Sequence, residues 1–405
     1  MKDGINSKIM KTKNVLLVLE TIMRKGPISR SQLAAFIGLT QVSVINVTNA
    51  LLEDGMIVEA GRTERRGQGR KAIVLDMNKE AFYTIGLELS VGRLVCGISD
   101  AKGNLIQFLE TEFLADSHAE LLVDKVEAIT DKLLKQCQIP AGKILGMGMA
   151  LPGPLDVQKG ILINPPNFPG LKQVPIQNML EERLSFRICL DKETNLAALA
   201  ESLYGVSAGY KTSFFMSLFR LGIGGGLISE SNIFHGFCDG AGEVGHMTVE
   251  PSGRRCGCGS YGCLESMIAE DYILEQVRHH YKIGIETEKP ENIDSITLEE
   301  IFERSKKGDS VCQEVVKQMA AYISIAVGNI VNMFSPELIV LGGQLPELSD
   351  QLVEMVAERI HSKQYPLHNR EIKIVKSALG SRVYVKGAAA LAAKTFLYYI
   401  LPKHF

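Results

Sequence analysis

Apolar spacing along the chain defines three short helices first and a longer alternation of strands and helices afterwards. Residues 13–25, KNVLLVLETIMRK, are rich in apolar positions and stop at Gly26-Pro27, a pair that breaks a helix. Ser29, with Gln32 three residues on, forms a capping-box pattern that opens a second helix, and Gly38 ends it. Thr40 is the expected N-cap of a third helix, QVSVINVTNALLEDG, which closes at Gly55. On it Val44, Val47, Leu51 and, less strictly, Leu52 follow the stripe that faces other helices. Gln41, Val42, Ser43, Asn46 and Asn49 are left on the outer or N-terminal side. Two short strand-like runs follow, around a loop with Arg62, Arg65, Arg66, Arg70 and Lys71.

Three short helices, a tight turn and an arginine-rich hairpin, in that order, read as a winged helix-turn-helix. Amides such as Gln41 and Asn46, with the Ser43 hydroxyl, suit base edges in a major groove. Arg62, Arg66 and Arg70 suit phosphates or the minor groove. The bland alternative is a helical protein-interaction domain with a solvated basic hairpin. Charge favours the first reading: residues 1–80 carry 13 Lys+Arg against 8 Asp+Glu, whereas the whole chain is at −2.

From Tyr83 the texture changes. YTIGLEL, RLVCGISD and a run near NLIQFLETEF read as strands, followed by a helix over about 119–137 and the buried-strand run KILGMGMA. SFFMSLFRLG, GIGGGLISE and NIFHG repeat the theme. At 405 residues the chain has room for two or three domains, and 46 % hydrophobic content suits real cores. No run of 18 uncharged apolar residues is present, so no membrane span is expected. The N-terminus lacks a signal-peptide pattern. Five of the eight cysteines are scattered singly, without a disulfide framework, which points to a reducing cytoplasm.

The remaining three cysteines are not scattered. In GEVGHMTVEPSGRRCGCGSYGCLE, His246 stands ten residues before Cys256, with Cys258 and Cys263 close behind. Three thiolates and one imidazole are the ligand set of a closed tetrahedral structural Zn2+ site. Glu243 and Glu265 flank it.

This stretch resembles the zinc signature of the ROK family, which comprises bacterial sugar kinases and sugar-responsive repressors. The resemblance runs from about residue 10 to about residue 395 and includes a similar N-terminal segment in the repressors. It implies an α/β, actin-like ATPase fold of two lobes behind the winged helix-turn-helix. The head would span 1–80, a small lobe 81–198 plus about 388–405, and a large lobe with the zinc site 199–387, with a cleft between the lobes.

The same resemblance assigns roles. Asn167, in the loop beginning ALPGP, matches the sugar-side loop, although a turn-forming role is the plain alternative. Glu193 stands at the general base's position, one methylene longer than the family's Asp. Glu243, His246 and Glu265 would complete the sugar contacts. On the phosphate side the match fails. In GLELSVGR, Glu88 replaces an Asp, and Ser90 and Val91 replace two glycines; Val91 resists the backbone that such a loop needs. Arg220-Leu221 stand where kinases place Gly-Thr. The glycine run at 222–226 and the Gly342-Gly343 pair are compatible with either close approach to a ligand or simple folding.

Sugar-side groups kept and phosphate-side groups lost give the expectation: a transcriptional regulator, most simply a repressor. A monosaccharide would release it from a palindromic operator, which it would bind as a homodimer or homotetramer. It would not be an enzyme. An active ATP-dependent sugar kinase carrying a DNA-binding domain is the alternative, and a regulator that senses zinc itself is a third.

Overall fold

The computed structural model describes residues 7–62, 72–220, 222–283, 290, 292–362 and 372–401. The head consists of α1 (Ser7–Lys25), β1 (Ile28–Ser29), α2 (Arg30–Ile37), α3 (Gln41–Glu53), β2 (Ile57–Arg62) and β3 (Ile73–Met77). Ser29 accepts from the Gln32 N–H while the Gln32 side chain accepts from Ser29, so the capping box is closed. Gly38 ends α2 in the left-handed conformation at φ 70°, and Thr40 caps α3 by accepting from the Ser43 N–H. The three strands pair in the order β1-β3-β2, all antiparallel. That is a winged helix-turn-helix, with the tip of the wing (residues 63–71) outside the described residues.

The body follows with β4 (Tyr83–Ser90), β5 (Gly92–Asp100), β6 (Leu105–Phe113), α4 (Ala119–Cys137), β7 (Ile144–Leu151), β8 (Leu155–Asp156), β9 (Ile161–Leu162), α5 (Ile176–Glu181), β10 (Ile188–Lys192) and α6 (Glu193–Tyr204). Next come β11 (Thr212–Phe219), β12 (Gly222–Ser229), β13 (Asn232–Ile233), α7 (Leu264–Met267), α8 (Glu270–Ile283), α9 (Leu298–Lys306) and α10 (Ser310–Phe334). The chain ends with β14 (Leu338–Gly342), α11 (Gln344–Leu348), α12 (Asp350–His361), β15 (Lys373–Lys376) and α13 (Val383–Phe396). No single helix among the described residues is long and apolar enough to cross a membrane.

The chain divides into two compact units, Met1–Leu196 with Tyr384–Phe405, and Ala197–Val383. Each is built on one sheet of five strands, ordered β6-β5-β4-β7-β10 in the first and β13-β12-β11-β14-β15 in the second. In both, three antiparallel strands are followed by two parallel ones, so the duplication expected from sequence is a duplication of topology. Parallel strands buried on both faces read as continuous apolar runs, which is why β7 is buried at every position.

Candidate functional site

In the head, α3 turns Val44, Val47, Thr48 and Leu51 inward. Leu52 is only half-buried, and Gln41, Val42, Ile45, Asn46 and Asn49 are exposed. Val42, Ile45, Asn46 and Asn49 form one face at helical spacing, so this surface is half amide and half aliphatic. Ser43 is half-buried and its hydroxyl lies 2.9 Å from that of Thr40, which ties it to the cap. Sequence pattern did not reveal the clamp beneath this face. Arg30 donates through Nε to the Thr48 hydroxyl at 2.9 Å and through Nη2 to Asn49 Oδ1 at 3.1 Å. An arginine 18 residues away leaves no periodic signal. Arg62 ends β2 and is exposed; Arg66 and Arg70 lie outside the described residues.

In the second unit, the glycine run of β12 meets backbone rather than open space. The Gly225 N–H donates to Gly242 O at 2.8 Å, and a Cβ on Gly242 would fall 2.0 Å from Gly225 O. This approach presses the 242–246 turn onto the strand and presents Glu243 and His246, both exposed, at its surface. Backbone bonds then fold the cysteine loop. Cys256 N–H donates to Ser260 O at 2.8 Å, Gly259 N–H to Cys256 O at 3.0 Å, and Leu264 N–H to Met247 O at 2.8 Å. The loop thereby brings His246, Cys256, Cys258 and Cys263 together, with one ligand atom of each within 4.8 Å of the others.

These residues fit a tetrahedral zinc ion. His246 Nδ1 lies 3.7 Å from Cys256 Sγ, and Cys258 Sγ lies 3.7 Å from Cys263 Sγ. A tetrahedron with Zn–S bonds of about 2.3 Å has edges of about 3.7 Å. Burial, together with the neighbouring Cys258 and Cys256 thiols, pushes the Cys263 thiol up and so favours its neutral form when no cation is bound. Glu265, on α7 just after the loop, is half-buried, and its Oε2 accepts the Ile223 N–H at 3.2 Å. One of its oxygens therefore holds the start of β12.

Asn167 and Glu193 belong to the first unit. Asn167 is exposed beside the fully buried Phe168. Glu193 is the first residue of α6, where a carboxylate complements the helix dipole. Its neighbour Asp191 accepts from the Lys192 N–H at 2.7 Å and from Asn195 Nδ2 at 2.8 Å, which fixes the strand-to-helix junction. Lys192 is buried at 4 % exposure.

The β4–β5 and β11–β12 turns each carry an internal ion pair. At the β4–β5 turn, Arg93 Nη2 donates to Glu88 Oε1 at 2.9 Å, and burial pushes the Glu88 carboxyl up against that pull. At the β11–β12 turn, Arg220 pairs with Glu270 of α8 at 3.1 Å and with Glu299 of α9. Leu221 lies outside the described residues. At the end of β14, a Cβ on Gly343 would crowd the Leu218 backbone at 2.7 Å, so that glycine serves packing.

The sequence profile of the ROK family matches residues 84–395. The chain is 30 % identical over 395 residues to the xylose repressor of Caldicellulosiruptor bescii, an alignment covering 97 % of this chain and 98 % of the relative. A crystal structure of a ROK family transcriptional regulator, a homolog of the E. coli MLC protein, aligns with a TM-score of 0.80 at 25 % identity, covering 96 % of this chain and 97 % of its own. The ROK hexokinase of Thermus thermophilus aligns with a TM-score of 0.65 at 26 % identity, covering 78 % of this chain and 100 % of its own. The regulator is thus matched through head and body alike. Fold and sequence agree: the chain belongs to the ROK family, with that family's actin-like two-lobed α/β fold behind a winged helix-turn-helix head.

Proposed function

We propose that this chain is a sugar-responsive transcriptional repressor whose body binds a monosaccharide without phosphorylating it. One observation carries the reading. The two turns that the kinase resemblance assigns to phosphate carry the protein's own ion pairs, Arg93–Glu88 and Arg220 with Glu270 and Glu299, and on this reading the acceptors for sugar hydroxyls are kept. Phosphoryl transfer depends almost wholly on positioning and charge stabilisation, so it suffers most from this change. The head supports the other half of the reading, as does similarity over 97 % of the chain to a xylose repressor.

On this reading α3 enters the major groove. Gln41, Asn46 and the clamped Asn49 read base edges, Ser43 steadies the helix start, and Arg62, with Arg66 and Arg70 of the wing, meets the backbone. Asn167, Glu193, Glu243, His246 and Glu265 contact the sugar. A zinc ion held by His246, Cys256, Cys258 and Cys263 would serve as a structural clamp on that loop. His246, whose Nδ1 lies beside Cys256 Sγ, would then have Nε2 left for a sugar hydroxyl. The sugar acts by binding one conformational state better than another, which lowers the population able to bind a palindromic operator as a dimer or tetramer. The work is done in the cytoplasm, where such DNA is found.

The test is a thermal-shift panel of D-xylose, D-glucose and N-acetyl-D-glucosamine, with and without ATP, followed by operator competition. A sugar that raises Tm and loosens the DNA complex without ATP supports the repressor. ATP-dependent sugar phosphorylation at ordinary kinase turnover would instead establish the kinase alternative, which the hexokinase similarity keeps in play.

A further inference from the structure

The hydrophobic core of the head is completed by residues more than three hundred positions away. Phe396 and Leu397 are 6 % and 1 % exposed and share one apolar cluster with Val15, Leu19 and Leu51. α13 therefore ends in an apolar core that the head shares with Phe82, Ala101 and Leu145 of the first unit. Along its length it lies on the first sheet with no room for a side chain between. A Cβ on Gly148 would come within 1.9 Å of Ala388 O, one on Gly86 within 2.0 Å of Val385 O, and one on Gly146 within 2.3 Å of the Phe396 ring. Close-packed contacts of this kind cannot slide by small steps.

The helix is also seated at its start. A Cβ on Gly387 would fall 1.9 Å from Leu196 O, and Leu196 lies one turn beyond Glu193 on α6. Polar ties reinforce the junction. Lys102 of the β5–β6 turn pairs with Asp76 of β3 at 2.5 Å, with the Asp76 side chain only 9 % exposed. The Ala101 N–H donates to Lys79 O at 3.2 Å, and Lys143 Nζ to Glu80 O at 3.1 Å.

We propose that Phe396 is a positioning residue for DNA binding. The last turn of α13 fixes the head on the first unit, and the Gly387–Leu196 contact joins that helix to the one that begins at Glu193. Head, α13 and the start of α6 are one rigid body, not a module on a tether. Coupling between two sites travels through contiguous packed elements of this kind. Only the DNA and sugar links rest on the repressor reading; the shared core does not.

Two measurements on the full chain test this. Hydrogen exchange of the wild-type protein, without DNA or sugar, should show α1 and the end of α13 opening together with one denaturant dependence. A head that opens separately while α13 stays protected overturns the proposal. Next, duplexes are selected from a random library with the wild-type protein, and poly(dI-dC) serves as the non-specific probe. Phe396→Ala should bind the selected duplex about tenfold more weakly while changing poly(dI-dC) affinity less than about twofold. Base readout needs exact placement of α3 whereas backbone attraction does not. Phe396→Leu should restore binding to within about threefold. Equal loss on both duplexes, or no loss on either, overturns the positioning role. If the wild-type protein selects no duplex, the repressor reading fails, and the exchange experiment still decides the packing.

Discussion

Arg93 answers Glu88 from within the protein: its Nη2 donates to Glu88 Oε1 at 2.9 Å, and its Nε donates to the Ser90 hydroxyl at 3.2 Å. Glu88 is 3 % exposed, so its charge depends on this partner. The pair sits at the β4–β5 turn and satisfies one oxygen of the Glu88 carboxylate, while the other, Oε2, is buried without a hydrogen-bond partner.

Arg93→Ala should therefore cost about 3 kcal/mol, the low end for leaving a buried charge unpaired. The cost should also depend on pH. Burial already raises the Glu88 carboxyl, and losing Arg93 removes the charge that opposes the rise. In the variant the folded state then holds a proton that the unfolded chain releases, so stability falls as pH rises through that window. Thermal melts should show a larger deficit against the wild type near pH 8 than near pH 5. An equal deficit at both would mean that Glu88 stays ionised without Arg93.

The metal prediction separates two cysteines. Purified protein should hold about one zinc per chain, read by elemental analysis. Cys258→Ser, at an exposed corner, should lose the metal and lower Tm; Cys263→Ser should do the same more severely, because a buried hydroxyl replaces a buried sulfur. Chelation of the wild type should mimic Cys258→Ser. A metal-free wild-type protein with unchanged melting and sugar response would remove zinc from the account.

Much of this was legible in the sequence, for local reasons. The Ser29–Gln32 capping box, the Thr40 cap, the span of α4 and the His246–Cys263 spacing are all written within a few turns of chain. What pattern could not convey is pairing across the chain. β1 is two residues long, too short for any alternation, and exists because β3 receives it. Thr48 is polar yet fully buried, because its hydroxyl accepts from Arg30. The texture change near residue 80 marks a switch of element type, but it carries no information on whether two cores are continuous. Phe396 and Val15 prove to share one.

The aliphatic half of the α3 face makes a prediction about bases. Val42 is 68 % and Ile45 42 % exposed, beside the exposed amide of Asn46. Apolar side chains in a major groove meet thymine methyls, and Asn pairs with adenine. A selected duplex with deoxyuridine in place of thymine should bind the wild type more weakly by about 0.8 kcal/mol per lost methyl contact, roughly fourfold. Ile45→Ala should be insensitive to part of that exchange. Asn46→Ala should cost about 1–3 kcal/mol on the selected duplex and little on random DNA. Arg62→Ala should instead weaken both and flatten the salt dependence. Equal sensitivity of wild type and Ile45→Ala to deoxyuridine would place the methyl contacts elsewhere.

Sugar binding should separate from phosphoryl transfer. Glu243 and His246 stand exposed on the turn pressed against β12, and Glu265 spends one oxygen on the Ile223 N–H, leaving the other for a hydroxyl. The effector sugar should raise Tm and loosen the DNA complex in the absence of ATP. Glu243→Ala should abolish both effects while sugar-free DNA binding stays within about twofold of wild type, because the substitution lies in the second unit and the head in the first. Glu265→Ala should lose the sugar response and also some stability, since the Ile223 N–H loses its acceptor, at a cost of about 1–3 kcal/mol. Replacing Arg93 and Arg220 together by Gly should open the two turns without restoring catalysis, because on the proposed reading Glu193, one methylene longer than an Asp, would hold the sugar hydroxyl out of place, and about 1 Å of error costs about a hundredfold. Product assays with ATP should therefore stay far below ordinary kinase turnover of roughly 1–100 per second for the wild type and this variant alike. Turnover in that range from the wild type would overturn this reading and establish the kinase alternative.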